Sequence, residues 1–191
     1  MTAELLVADV DAWRRWLSEH GSEPEGVWLV LAKKGTTDPT SLTYDQALDE
    51  ALCHGWIDGQ VDRRDTHTYR RRFTPRRAGS AWSKRNVGIV ERLTAEGRML
   101  PAGLDAVTRA KADGTWDAAY AGAATIEVPH DFAGALAANT LASQAFLQLD
   151  ATNRYAILYR VTSARRQDTR AKRIAELVSM LAEGKTIHPP R

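Results

Sequence analysis

The chain has 191 residues, of which 43% are hydrophobic, and a formal net charge of +2; this composition excludes a disordered chain, and the length is enough for one substantial domain or a core domain with a small appendage. No apolar run approaches the ~20 residues that span a bilayer, and the N-terminus lacks the basic-then-apolar pattern of a secretory signal. A single cysteine, Cys53, excludes an internal disulfide and fits a reducing compartment, so we expect a cytoplasmic protein.

The first half of the chain predicts a small sheet packed on helices. A short helix with an apolar face is expected at residues 11–19, and the apolar, β-prone run at 27–34 is typical of a strand covered on both faces. Thr43 and Gln46 form a capping box at the start of the next helix, and Gly55 suits the left-handed residue after its end. Two further extended segments are predicted at residues 56–58 and 68–74.

The remainder of the chain predicts helices. Apolar stripes indicate helices at residues 83–96 and 102–112, and the sequence VPHD then marks the entry to a short helix. Thr140, Asp150 and Asp168 are the predicted N-caps of three more helices, because short polar side chains at these positions can accept the first backbone N–H groups.

A boundary between two domains is predicted in the least structured segment, residues 118–127. We place an α/β domain at residues 1–117 and a helical domain at residues 118–191. The predicted fold class is therefore α+β, with a small N-terminal β-sheet packed on helices and a helical C-terminal domain.

Positive charge is concentrated in two windows of the sequence. Residues 60–86 hold nine basic and two acidic residues, a net charge of +7, and residues 160–173 hold six basic and one acidic residue, a net charge of +5. Eight of the nine bases in the first window are arginines, and aromatic residues are interleaved with them. Arginine pairs bidentately with carboxylate or phosphate and stacks on rings, so this window predicts a site for an anion.

Three interpretations of the first window remain open. In one, it forms an anion pocket with arginines as charge, aromatic rings as walls, and polar groups near a helix N-terminus as hydrogen-bonding partners. In another, the arginines pair with acids elsewhere in the chain. In the third, the arginines and rings bind single-stranded nucleic acid. The predicted site residues in this part of the chain are Trp56, Asp58, Arg71, Arg72, Phe73, Arg76, Ser80, Trp82, Ser83 and Asn86.

The second window, residues 160–173, predicts a helix whose first turn is rich in basic residues. Arg170 is spaced by four from the apolar residue Ile174, so it lies along the apolar stripe, and Arg173 lies at the edge of that stripe. One interpretation is an ordinary amphipathic helix whose arginines reach solvent. The other is that Arg170, with Arg173, completes the anion site or meets an acidic partner.

No recognised catalytic or metal-binding pattern is present. Nucleophile-elbow, phosphate-loop and dinucleotide motifs are missing, and the residues around Cys53 and His54 do not match a metal-ligand spacing. Asp58 is the best candidate for a general acid or base, although holding a neighbouring arginine in place is the favoured interpretation of its role. We expect a non-enzymatic protein without metal or cofactor.

Several strings resemble a known family. TYDQALDEALCHGWIDGQ, RRFTPRRAGSAWSKRNV and ERLTAEGRMLPAGLDAVTRAKADGTWD are similar to the bacterial YdeI/OmpD-associated family, also described as bacteriocin-protection proteins. VPHDFAGALAANTLASQAFLQLD and SARRQDTRAKRIAELVSMLAEGK resemble the helical OmdA-type segment of that family. His54 departs from the pattern, since an aromatic apolar residue is expected there. The family motifs correspond to Gly55, Trp56, Ile57, Asp58, Phe73, Pro75, Arg76, Ser80, Trp82, Ser83, Asn86, Thr169, Arg170 and Arg173.

The resemblance implies an N-terminal fold related to the YjbR/CyaY-like group and a protective role, for which the family has no established biochemical activity. We therefore expect a binding module for an anionic ligand. The alternatives are a nucleic-acid-binding stress-resistance protein, an enzyme acting on a small anionic substrate, and, from the family name alone, a partner of an envelope protein.

Overall fold

The computed structural model describes residues 4–21 and 23–189 and divides the chain into two units, Met1–Ala119 and Tyr120–Arg191. In the described residues, the first unit combines four strands with four helices, and the second is built from four helices. This arrangement confirms the predicted α+β class with a helical C-terminal part.

Four strands form the sheet of the first unit: β1 (Glu4–Leu5), β2 (Val27–Ala32), β3 (Trp56–Arg63) and β4 (Thr68–Pro75). Their order across the sheet is β1-β2-β4-β3. The short β1 runs parallel to β2, whereas β4 pairs antiparallel with β2 on one side and with β3 on the other. A register shift between Asp58 and Val61 interrupts the β3–β4 ladder.

Strand β4 determines where its arginines point. Because side chains alternate along a strand, Arg71 shares a face with Tyr69 and Phe73, both of which belong to the core of the unit. Arg70 and Arg72 lie on the opposite face, where the Arg70 guanidinium sits 5.3 Å from the ring of Trp28. The predicted strand therefore divides the arginines of the basic window between two surfaces.

The four helices of the first unit are α1 (Val10–His20), α2 (Tyr44–Cys53), α3 (Lys84–Ala95) and α4 (Pro101–Ala112). The predicted capping box of Thr43 and Gln46 is confirmed at the start of α2. Gly55 has a φ of +75°, as predicted, and a Cβ there would lie 2.7 Å from the carbonyl oxygen of Ala102. Glycine at this position therefore lets the end of α2 approach the start of α4.

Two apolar clusters stabilise the first unit. One joins the sheet to α1 and includes Trp13, Leu29, Leu31 and Phe73, all fully buried. The other joins α2, α3 and α4; its buried members are Leu48, Leu52, Cys53, Trp82, Val90, Leu93, Val107 and Ala110. Fully burying a large apolar side chain contributes roughly 1.5–3 kcal/mol relative to exposing it, so the two clusters hold the sheet and all four helices together.

The second unit contains α5 (His130–Ala137), α6 (Thr140–Leu147), α7 (Ala151–Thr162) and α8 (Gln167–Ala182). Its core packs Phe132 edge-on against Phe146, with ring centroids 5.5 Å apart, beside Ile157, Ile174 and Leu177. Among the described residues, no helix is long and apolar enough to cross a membrane.

Two predicted N-caps are wrong by one or two positions. Thr140 is the first residue of α6, and the cap is Asn139, whose side chain accepts the N–H of Ala142 at 3.0 Å. Arg166 precedes α8, so Asp168 lies inside its first turn, where a carboxylate is stabilised by the positive end of the helix dipole. Asp150 is confirmed as the cap of α7.

Candidate functional site

Internal ion pairs neutralise several arginines of the 60–86 window. Four of them contact a carboxylate within the chain, and the pairs are Arg64 with Glu4 and Asp65, Arg70 with Asp62, Arg71 with Asp58, and Arg85 with Asp45. The interpretation in which these arginines pair with acids elsewhere is correct for these four. An anion site is therefore expected near arginines of this window that form no ion pair in the described residues, such as Arg77.

Asp58 holds Arg71 on the inner face of β4. Its Oδ2 accepts hydrogen bonds from the Arg71 guanidinium and from the Tyr44 hydroxyl, the latter at 2.9 Å. The guanidinium stacks on the Tyr44 ring, 4.2 Å from its centroid. Burial, together with the neighbouring Asp58 carboxylate, raises the pKa of Tyr44 to about 12, so its hydroxyl stays protonated and donates at neutral pH. Asp58 thus has the favoured role of fixing a neighbouring arginine.

The other predicted residues on the sheet lie in different surroundings. Trp56 and Phe73 are fully buried in the first core cluster, and the Trp56 indole donates to the carbonyl oxygen of Gly21 at 2.8 Å. Their rings have no exposed surface for a ligand. Arg72, on the opposite face, donates to the carbonyl oxygen of Glu25. The structure therefore does not gather Trp56, Phe73 and Arg72 into one pocket.

The loop after β4 brings a second group of predicted residues together. Arg76, only 8% exposed, stacks on Trp82 with its guanidinium 3.4 Å from a ring centroid. One of its nitrogens, Nη1, contacts Ser80 Oγ and the carbonyl oxygen of Ala81, both at 3.4 Å. Trp82 is in turn packed at 4.8 Å against the ring of Trp116. Trp116 meets Trp82 edge-on, and contact with the Trp82 ring fixes the plane of the Arg76 guanidinium.

Arg76 lines a small polar cavity between residues 76–82 and α4, hereafter the arginine cavity. Its lining includes the exposed Arg77 and Arg109, neither of which forms an ion pair within the described part of the chain. The cavity has a free volume of about 10 Å³, room for one water molecule. Its lining residues are Arg76, Arg77, Ala78, Gly79, Ser80, Trp82, Ala106, Arg109, Ala110, Asp113 and Thr115.

Ser83 and Asn86 belong to the start of α3. Ser83 is its N-cap, and its hydroxyl oxygen accepts the N–H of Asn86 at 3.1 Å. Asn86 is buried in the first turn. These contacts account for both residues structurally, and their predicted contact with a ligand stays a prediction.

Arg170 and Arg173 bind the end of α7 within the second unit. Arg170 forms a bidentate pair with Asp131, at 2.6 and 2.9 Å, and also donates to the carbonyl oxygen of Val161 at 3.0 Å. Arg173 donates to the carbonyl oxygen of Arg160 at 2.9 Å. The last carbonyls of a helix lack intrahelical partners and carry partial negative charge, so both arginines stabilise this helix end.

A buried ion cluster was missed in the sequence. Glu50 is 3% exposed and accepts both a bidentate contact from Arg14, at 2.9 and 2.8 Å, and a contact from Arg98 at 2.7 Å. Burial alone raises the pKa of Glu50, but the two guanidiniums outweigh it and the net shift is downward. The sequence does contain a signal for this cluster. Glu50 lies three residues after Ala47 and four before His54, and this helical spacing places Glu50 on the buried face of α2.

Arg109 and Asp113 were also missed at the arginine cavity. They are spaced by four on or just after α4, some 30 residues after the loop whose cavity they line. No local pattern connects them to that loop. In the described residues, no group of three or more His, Cys, Asp or Glu side chains could hold a metal ion.

The first part of the chain, residues 5–106, matches a family described as a domain of unknown function, DUF8412. Residues 125–184 match the OmdA family, described as bacteriocin-protection, YdeI or OmpD-associated, which confirms the resemblance of the C-terminal strings to that family. Neither a curated protein nor a solved structure matches the chain, and the relation to the YjbR/CyaY-like group stays a prediction. The chain therefore belongs to the DUF8412 family over just over half of its length and carries a C-terminal domain of the YdeI/OmpD-associated family.

Proposed function

We propose that the protein is a non-catalytic binding module that holds an anionic group at the arginine cavity. The observation that carries this proposal is the stacking of Arg76 on Trp82 at 3.4 Å, beside two further arginines in the same lining. Three guanidiniums around one carboxylate give the lining a net positive charge. The proposal keeps the predicted residues Arg76, Ser80 and Trp82 in the site.

The stacked arrangement favours anion binding for a physical reason. Contact with the ring fixes the guanidinium plane, so less side-chain freedom is lost when an anion binds its edge. Because Arg76 is nearly buried, its charge is screened less by water than that of a surface arginine. The exposed Arg77 and Arg109 can then reach the outer oxygens of the bound group.

The alternatives receive less support from the same geometry. Binding of single-stranded nucleic acid relies on aromatic faces on which bases stack, whereas Trp56, Phe73 and Trp82 are buried. An enzyme that uses Asp58 as its acid or base meets a carboxylate already bound by Arg71 and Tyr44. The description of the matched C-terminal family, bacteriocin protection or OmpD association, names a role and a partner without naming a reaction.

Tryptophan fluorescence tests the proposal directly. We expect inorganic phosphate, citrate or a nucleoside monophosphate to change the emission of Trp82 saturably. Arg77→Ala and Arg109→Ala should each weaken binding about tenfold, because each removes a charged hydrogen-bond donor. Arg63→Ala is the matched control, since Arg63 is an exposed arginine of β3 with no ion pair in the described residues.

Salt dependence separates the proposal from the nucleic-acid alternative. A cavity for one anionic group predicts a shallow dependence of affinity on salt, whereas an extended nucleic-acid contact neutralises several phosphates and predicts a steep one. The proposal would be contradicted if the wild type, Arg77→Ala and Arg109→Ala bound an anion with equal affinity. It would also be contradicted if no small anion changed the tryptophan fluorescence.

A further inference from the structure

Asp113 is the single carboxylate in the described lining of the arginine cavity. Its Oδ2 accepts the backbone N–H of Gly79 at 3.2 Å, a group of the same loop that carries Arg76. Its Oδ1 accepts the N–H and the hydroxyl of Thr115, at 2.9 and 2.6 Å. The contacts with Thr115 fix the carboxylate, so that its other oxygen faces the loop.

The size of the cavity limits what can enter while Asp113 is in place. A free volume of about 10 Å³ holds one water molecule. A carboxylate or phosphate group is several times larger and carries the same sign of charge as Asp113. An external anion at this position must therefore displace the Asp113 side chain from the loop.

We infer that Asp113 is an internal competitor for the anion site, and that the incoming group is an oxyanion that takes over its contact with the loop. The inference rests on the proposed function, because it concerns the regulation of the same site. A tethered carboxylate competes at a high effective concentration. The apparent affinity of the wild type for an anion is therefore the intrinsic affinity multiplied by the small fraction of molecules in which Asp113 has left the site. Movement of Asp113 then exposes Gly79 N–H and the arginines together.

Two variants test this with different physical changes. Asp113→Ala removes the carboxylate and leaves space of its size, whereas Asp113→Asn keeps the volume and removes only the charge. We expect formate, acetate or inorganic phosphate to raise the melting temperature of Asp113→Ala, with a half-saturating concentration about tenfold below that of the wild type. Asp113→Asn should bind with intermediate affinity, and it also serves if the alanine variant does not fold.

The anion series identifies the group that the site prefers. Stronger stabilisation by formate and acetate indicates a carboxylate ligand, and stronger stabilisation by phosphate indicates a phosphorylated one. Sodium chloride at matched ionic strength controls for screening. Asp105→Ala is the control variant, because Asp105 is an exposed acid of α4 whose side chain forms no hydrogen bond or ion pair in the described residues.

The two proposals fail in different ways. If the wild type and both Asp113 variants bind the same anion with equal affinity, the anion site stands and the competition is overturned. If neither the wild type nor any variant responds to any anion, both proposals are overturned. If Asp105→Ala gains affinity as much as Asp113→Ala, the effect is one of net charge and the inference about Asp113 is overturned.

Discussion

Arg76 and Arg170 belong to two motifs of similar composition, but their surroundings differ. Arg170 meets Asp131 through two hydrogen bonds and Val161 through a third, so a carboxylate and a helix end take up its donors. Arg76 lies against the face of Trp82, in a lining where three arginines surround one carboxylate. A bidentate carboxylate both fixes and neutralises one guanidinium, whereas a single carboxylate among three guanidiniums leaves the lining of the cavity with a net positive charge.

This difference explains why the density of arginine in a sequence is a poor measure of available charge. Arg64, Arg70, Arg71 and Arg85 all lie in the most basic window, and each has a carboxylate partner in the fold. The second window contributes two arginines to the end of α7. In the described lining of the arginine cavity, three arginines outnumber a single carboxylate, and we therefore locate the proposed site there.

The largest effect on stability is expected from Trp82→Ala, which tests the role of the ring on which Arg76 stacks. The substitution leaves a void in the second core cluster and removes the surface on which Arg76 stacks, at a cost of about 3–5 kcal/mol in the free energy of unfolding. Denaturant unfolding measures the loss, and anion titration should show that binding is lost with it. Trp82→Phe is the control, because it keeps a ring and should retain most of both.

A smaller effect on stability is expected from Arg170→Ala, which tests the role of the ion pair with Asp131. Loss of the contacts with Asp131 and Val161 should lower stability by about 1–2 kcal/mol, seen as faster hydrogen exchange in the last turn of α7. Anion affinity at the arginine cavity should not change, because the donors of Arg170 are already used. Lys172→Ala is a control from another face of α8, where the exposed Lys172 pairs with Glu176 of the same helix. A loss of anion affinity in Arg170→Ala would instead support the interpretation that Arg170 completes the site.

The fold follows the sequence wherever a local pattern was long enough. The apolar run of β2, the alternation of β4 and the capping box of α2 each encode their element within a few residues. The two-residue β1 has no such pattern, and β3 extends to Arg63 because it pairs with β4 beyond a register shift. Both depend on a neighbouring strand that local periodicity does not specify.

The candidate site was only partly predictable for the same reason. Arg76, Ser80 and Trp82 lie within seven residues of one another, so one loop brings them together. Arg109 and Asp113 reach that loop through the packing of α4, which no sequence spacing records. The buried position of Trp56 likewise results from the sheet packing on α1, which makes a core residue of a predicted pocket wall.

The smallest effect concerns acid stability and tests whether Asp131 is held as its geometry implies. The hydrogen bond from Arg170 lowers the pKa of Asp131 below its ordinary value, outweighing the opposing effect of partial burial. A carboxyl with a lowered folded-state pKa adds stability that is fully present above its unfolded pKa of about 3.9 and is lost as pH falls through the folded value. Asp131→Asn should therefore lessen the decline in stability at acidic pH, and Arg170→Ala should return the Asp131 pKa, followed by NMR, toward its ordinary value. Asp168→Asn, at an exposed acid of α8, is the matched control. An unshifted Asp131 in the wild type would mean that the contact is too weakly populated in solution to satisfy Arg170, and Arg170 would then be as available to an anion as Arg77 and Arg109.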